Sequence, residues 1–141
     1  MTAAVTPFVR RAAEMTATSW LRTVDHKQIG VLYIGMGLAF LLIGGIESLV
    51  MRAQLATPEA RLVDPQLYDQ LFTMHGITMI FLAAIPLLVG LANYIVPLMI
   101  GARDVAFPRL NALSFWLSLF GGLLLYFSIV AGGAPDRKSV V

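Results

Sequence analysis

The sequence predicts an all-α protein, a polytopic bundle of transmembrane helices, and three observations carry that prediction. Of its 141 residues 58% are hydrophobic and only 13% charged, and the mean hydropathy is +0.80. That composition belongs to membrane proteins. No Asp, Glu, Lys or Arg occurs between residues 70 and 102. At ~1.5 Å per residue a helix of that length exceeds the ~30 Å of bilayer hydrocarbon, and no soluble core helix is apolar all round for so long. Two further apolar runs, about 29–51 and 111–131, are also long enough to cross.

In chain order, 1–28 reads as a cytoplasmic N-terminal arm, rich in Ala and Thr with scattered Arg. Arg10 and Arg11 are followed by AAEMTATSW and no apolar core, which argues against a secretory or twin-arginine signal. Trp20 and Leu21 suit the membrane interface. Asp25, His26 and Lys27 precede the first span, 29–51, and a histidine among such neighbours is expected to be solvated and structural. The span carries five glycines, which in a membrane let a neighbouring helix or a flat cofactor approach the backbone. Pro58 and Pro65 break up an outer loop, 52–70. The second span is 71–100, with Pro86 expected to kink it and Pro97 to end its regular helix. A short inner loop, 101–110, leads to the third span, 111–131, and to a tail, 132–141. Six of the ten basic residues (Arg10, Arg11, Arg22, Lys27, Arg103 and Arg109) fall on one side, which places the N-terminus inside.

Composition also excludes functions. A net charge of +2, dispersed along the chain, gives no footprint for nucleic acid. Without cysteine there are no disulfides, thiolate metal sites or cysteine nucleophiles. With only two histidines, a copper or zinc centre built wholly within this chain is not expected, so metal chemistry is expected to borrow ligands or arrive in a cofactor.

Three polar residues in or beside the second span need an account. His75 lies six residues past Asp69, roughly 9 Å along a helix, in the outer part of the bilayer. An unmatched polar group there costs ~2–7 kcal/mol. Its partner is either haem iron or an interhelical hydrogen-bond acceptor, and spacing alone leaves both open. Asn93 follows by 18 residues, five turns, so the two should share one stripe, with Pro86 blurring the phase. Asp104 is either a solvated loop carboxylate or a proton acceptor at a channel mouth, with Asn93 and Asn111 ordering water behind it. Glu47 and Arg52 on the first span are five apart, about 140° around a helix, and do not form a natural pair.

The strings WLRTVDHKQIG (20–30), QLFTMHGITMIF (70–81) and NYIVPLMIGARDVAFPRLNALSFW (93–116) resemble subunit I of the haem–copper oxidases, bacterial proton-pumping cytochrome c oxidases above all. The likeness covers about residues 20–136. It implies the first three spans of a larger subunit that crosses the membrane as helices, about twelve times. It further implies that His75 is an axial ligand of the low-spin haem, that Arg52 contacts a polar haem substituent, and that Ser48 hydrogen-bonds the ligand imidazole and fixes its tautomer. Gly76, next to His75 in TMHG, would border the cofactor. Asp104 would open the proton-uptake channel, with Asn93 and Asn111 along it. A low-spin haem held by two histidines has no open site for oxygen, so His75 would serve electron transfer.

The high-spin haem, copper and their ligands belong to regions this sequence does not contain, so the chain alone is expected to be inactive. The ending RKSVV departs from the family pattern and reads as a truncation. The implied partners are membrane lipid, the other oxidase subunits and cytochrome c, in a bacterial inner membrane. A quinol oxidase subunit I is the nearest alternative. From other classes come a proton-coupled secondary transporter, with Glu47, Arg52 and His75 as relay and Pro86 as hinge, and a small structural membrane protein.

Overall fold

A computed structural model describes residues 22–56 and 62–131; the arm before residue 22 and the tail after residue 131 lie outside them. All regular structure among these residues is helical: α1 (His26–Gln54), α2 (Pro65–Ile77), a π-helical stretch (Thr78–Ala84), α3 (Ile85–Met99) and α4 (Pro108–Val130). α2, the π stretch and α3 run on as one rod, so three helical units among the described residues are long and apolar enough to cross a membrane.

Local chemistry sets the ends. Asp25 caps α1, its side chain accepting from the Lys27 amide at 2.9 Å. Asp64 does the same for α2 through the Gln66 amide, also at 2.9 Å, with Pro65 at the first helical position where it has no bond to lose. This cap starts the second rod six residues ahead of Leu71, so its first turns stand outside the charge-free run. At the far end Pro97 is accommodated inside α3, which ends two residues later, at Met99. The stop is set by Gly101, whose φ of 70° lies in the left-handed region that favours a residue without Cβ. The amides of Gly101 and Ala102 turn back to the carbonyls of Leu98 (3.3 Å) and Pro97 (2.9 Å), capping the last turn.

The π stretch sits just before Pro86. The Ile85 amide bonds to the Ile80 carbonyl, five residues back. Where each bond reaches five residues, a residue advances by less than 100° around the axis, and the rod changes phase. The shared stripe expected of His75 and Asn93 is therefore broken: His75 meets α1 and Asn93 meets α4.

α1 and the second rod make the tightest pair. Gly30 and Gly90 touch backbone to backbone: a Cβ on Gly90 would lie 2.8 Å from the Gly30 carbonyl oxygen and 2.8 Å from Cγ1 of Ile34. Lower down, Gly37 admits Leu87, and Gly44 admits Met79. The core is Ile29, Tyr33, Met36 and Phe40 of α1, Leu82 and Ala83 of the π stretch, and Phe115 of α4. α4 joins through aromatic contacts, Phe115 edge-on to Tyr33 (centroids 5.2 Å) and Tyr126 stacked on Phe40 (5.9 Å). Leu117, Leu124 and Phe127 on its other face are exposed.

Replacing Gly90 with Val is expected to destabilise the full-length protein by about 1–3 kcal/mol or more, since two backbones must part. Gly35→Ala, where a Cβ meets nothing within 4 Å, should be neutral or gain up to ~1 kcal/mol of helix propensity. Thermal unfolding in detergent compares the two.

Candidate functional site

Polar side chains gather at both ends of the bundle. At one end, His75 is half-buried and its Nδ1 lies 2.9 Å from the Gly44 carbonyl oxygen. A carbonyl only accepts, so Nδ1 carries the proton and Nε2 keeps its lone pair. The Ser48 hydroxyl does not bond the imidazole; it donates to the Gly45 carbonyl of its own helix at 2.8 Å. The backbone oxygen of Gly44 therefore holds the tautomer, the part expected of Ser48. Cβ atoms on Gly45 and Gly76, the residues that follow Gly44 and His75, would meet nothing within 4 Å. Arg52, eight residues or about 12 Å beyond Gly44, is exposed and forms no ion pair among the described residues.

Close by, Glu47 is buried at 8% exposure and accepts a hydrogen bond from the Tyr126 hydroxyl at 2.9 Å. Tyr126 is bonded in turn to the Thr78 hydroxyl. Glu47 thus meets neither Arg52 nor His75, and the relay a transporter would need from these three is not assembled.

At the other end, Asp104 is exposed, and its Oδ1 accepts from the Val105 amide at 2.8 Å and lies 3.3 Å from Nδ1 of His26. His26 is 3% exposed, contrary to the solvated position expected of it. As the first residue of α1 it meets the turn that follows α3, and its Nε2 has no partner among the described residues. Deeper in, the Asn93 side-chain amide donates to Oδ1 of Asn111 at 3.1 Å, and Asn111 Nδ2 is buried without a partner among the described residues. One turn further along α4, Ser114 donates to the Asn111 carbonyl (2.8 Å) and so accepts from the Tyr33 hydroxyl (2.9 Å). Asp104 with His26, Asn93 with Asn111, and Tyr33 with Ser114 make successive polar pairs leading inward.

Sequence reasoning missed His26, Tyr33, Ser114, Tyr126 and Thr78 as members of these clusters. Among the described residues no three His, Asp or Glu side chains converge as a metal site, and His75 is the one histidine at this end, His26 lying at the other.

Residues 28–139 match the family model described as cytochrome c and quinol oxidase polypeptide I. The chain belongs to that family. It is 58% identical over 117 residues to cytochrome c oxidase subunit 1 of Bacillus subtilis (strain 168), covering 83% of this chain and 19% of that protein. It is 53% identical over 130 residues to cytochrome c oxidase subunit 1 of Bacillus sp. (strain PS3), covering 91% of this chain and 21% of that one. Quinol oxidase subunit 1 of Bacillus subtilis (strain 168) is 50% identical over 119 residues, covering 84% of this chain and 18% of that protein. The chain spans about a fifth of the length of these relatives.

The family implies haem, and the His75 end fits one. The imidazole offers an unprotonated Nε2 with its other nitrogen already satisfied, the arrangement that holds an axial histidine in orientation. Gly45 and Gly76, the next residues after Gly44 and His75, have open space at their Cβ positions.

Proposed function

We propose that this chain forms the opening spans of the catalytic subunit of a proton-pumping cytochrome c oxidase, with His75 as one axial ligand of a low-spin haem and Asp104 at the mouth of a proton-uptake channel. The observation that carries the proposal is the His75–Gly44 bond, which leaves Nε2 as a free ligand in a membrane-spanning helix. When bound, the haem would supply one-electron transfer toward an oxygen-reducing centre whose other ligands come from the rest of the subunit. The chain's own residues bind and orient. His75 offers Nε2, the Gly44 carbonyl holds Nδ1–H, Gly76 and Gly45 leave the ring approachable, and Ser48 braces the Gly45 carbonyl. Arg52 snorkels toward the cofactor's polar edge.

At the other end Asp104 captures a proton, with His26 against it, and Asn93, Asn111, Tyr33 and Ser114 offer donors and acceptors to a water file. In this reading the N-terminal arm is cytoplasmic, so protons enter from the inside of a bacterial inner membrane. Further oxidase subunits complete the complex.

A second reading, a quinol oxidase subunit I, is supported by the 50% identity to the quinol enzyme of Bacillus subtilis (strain 168). The full-length subunit, assembled with its partner subunits in lipid vesicles, tests both. The expected result is a low-spin haem band in the reduced-minus-oxidised spectrum, oxygen consumption driven by reduced cytochrome c, and acidification outside. Oxygen consumption with quinol alone would transfer the assignment to the second reading. A complex without haem would sink both.

A further inference from the structure

Tyr126 is where all three spans meet. Its hydroxyl donates to Oε1 of Glu47 on α1. Its only proton used there, it accepts from the Thr78 hydroxyl on the second rod. Thr78 is 0% exposed and Glu47 8%, and the Tyr126 ring is fixed by stacking on Phe40. Glu47 lies seven residues, roughly 10 Å, inside the end of α1. An ionisable side chain at that depth is costly, so a position that keeps one needs a reason beyond filling space.

The position of Thr78 supplies it. Thr78 is the first residue of the π-helical stretch, the point at which the second rod changes phase, and it stands three residues after His75. π turns are rare and persist where something holds them. α1 and the second rod run antiparallel, so Glu47, three residues after Gly44, is displaced from the His75–Gly44 bond in the direction opposite to Thr78, and the Tyr126 hydroxyl bridges that offset. The second rod is thus tied to α1 from two of its own positions almost one turn apart: from His75 directly to Gly44, and from Thr78 through Tyr126 to Glu47. A single hydrogen bond leaves an imidazole free to swivel about it, whereas a second tie one turn away fixes the rotation of the helix that carries the ring.

We propose that Tyr126, anchored on Glu47, is a positioning residue for His75. It fixes the second span at Thr78 and so sets the plane of the imidazole against the haem. Neither Tyr126 nor Glu47 touches the haem ligand, and the inference rests on the haem reading of His75. Orientation of an axial ligand by groups behind it is one of the means by which a protein tunes a bound metal.

The test uses the full-length, haem-loaded oxidase carrying Tyr126→Phe. The ring stays stacked on Phe40, and both hydroxyl bonds are lost. The expected result is low-spin haem at the parental stoichiometry, with shifted g-values in its electron paramagnetic resonance spectrum and a shifted midpoint potential. Thr78→Val, close to threonine in shape but without the hydroxyl, should reproduce that signature, and Thr78→Ser should restore the parental one. Parental g-values and potential in both Tyr126→Phe and Thr78→Val would overturn the proposal. So would loss of haem from both variants, which would assign the cluster to folding alone. A low-spin signal that survives His75→Ala would instead bring down the haem reading beneath it.

Discussion

In the full-length subunit His75→Ala is expected to abolish the low-spin haem band rather than weaken it. Only one imidazole lies at this end of the bundle, because the other histidine of the chain, His26, meets Asp104 at the opposite end. The lost hydrogen bond to Gly44 is a separate and smaller matter. A neutral bond of this kind contributes about 1 kcal/mol, while the α1 pairing with the second rod rests on the Gly30–Gly90 approach and on the apolar core. The variant should therefore insert and fold with its low-spin haem missing, which haem extraction and the reduced-minus-oxidised spectrum read directly. If His75 were only an interhelical tie, the spectrum would be intact and the loss would be limited to that ~1 kcal/mol of stability.

The spans were legible because a bilayer imposes a length and an absence of charge that few other constraints imitate. The residues between 70 and 102 could hardly be anything else. The caps at Asp25 and Asp64 were legible in principle, since Asp before Pro at 64–65 is a helix-start signal; reading Pro65 as a loop breaker hid it. Pro86 marked a disturbance, but the sequence does not distinguish a kink from a π stretch, and that difference sends His75 and Asn93 to different neighbours.

The clusters were harder to see. His26 meets Asp104 across 78 positions, and Tyr126 meets Glu47 across 79. Such pairings depend on how the spans pack and on how the turn after α3 lies, and single-helix periodicity carries neither. Two signals did exist. Gly30, Gly37 and Gly44 recur every seven residues, a small-residue face for a close helix, and Glu47 is a carboxyl inside a span, which calls for a partner.

Asp104→Asn is the second variant with a large expected effect, and it separates three accounts of that residue. The amide keeps an oxygen that can accept from the Val105 amide, as Oδ1 does at 2.8 Å, so the turn before α4 should hold. What disappears is a group that can take up and release a proton in exposed surroundings, facing His26 at 3.3 Å. If Asp104 is the mouth of the uptake path, turnover and proton uptake in the full-length oxidase should fall, by up to the ~10²–10⁴-fold that a positioned acid–base group contributes. The low-spin spectrum should not move, because His75 lies at the opposite end of the bundle. A merely solvated carboxylate would leave turnover unchanged and stability within about 0.5 kcal/mol. A structural role through His26, which is buried with one ring nitrogen unpartnered among the described residues, would lower thermal stability together with turnover. Stopped-flow proton uptake, the optical spectrum and a melting curve on one preparation distinguish the three. An unchanged uptake rate would remove Asp104 from the proton path while leaving the assignment of His75 standing.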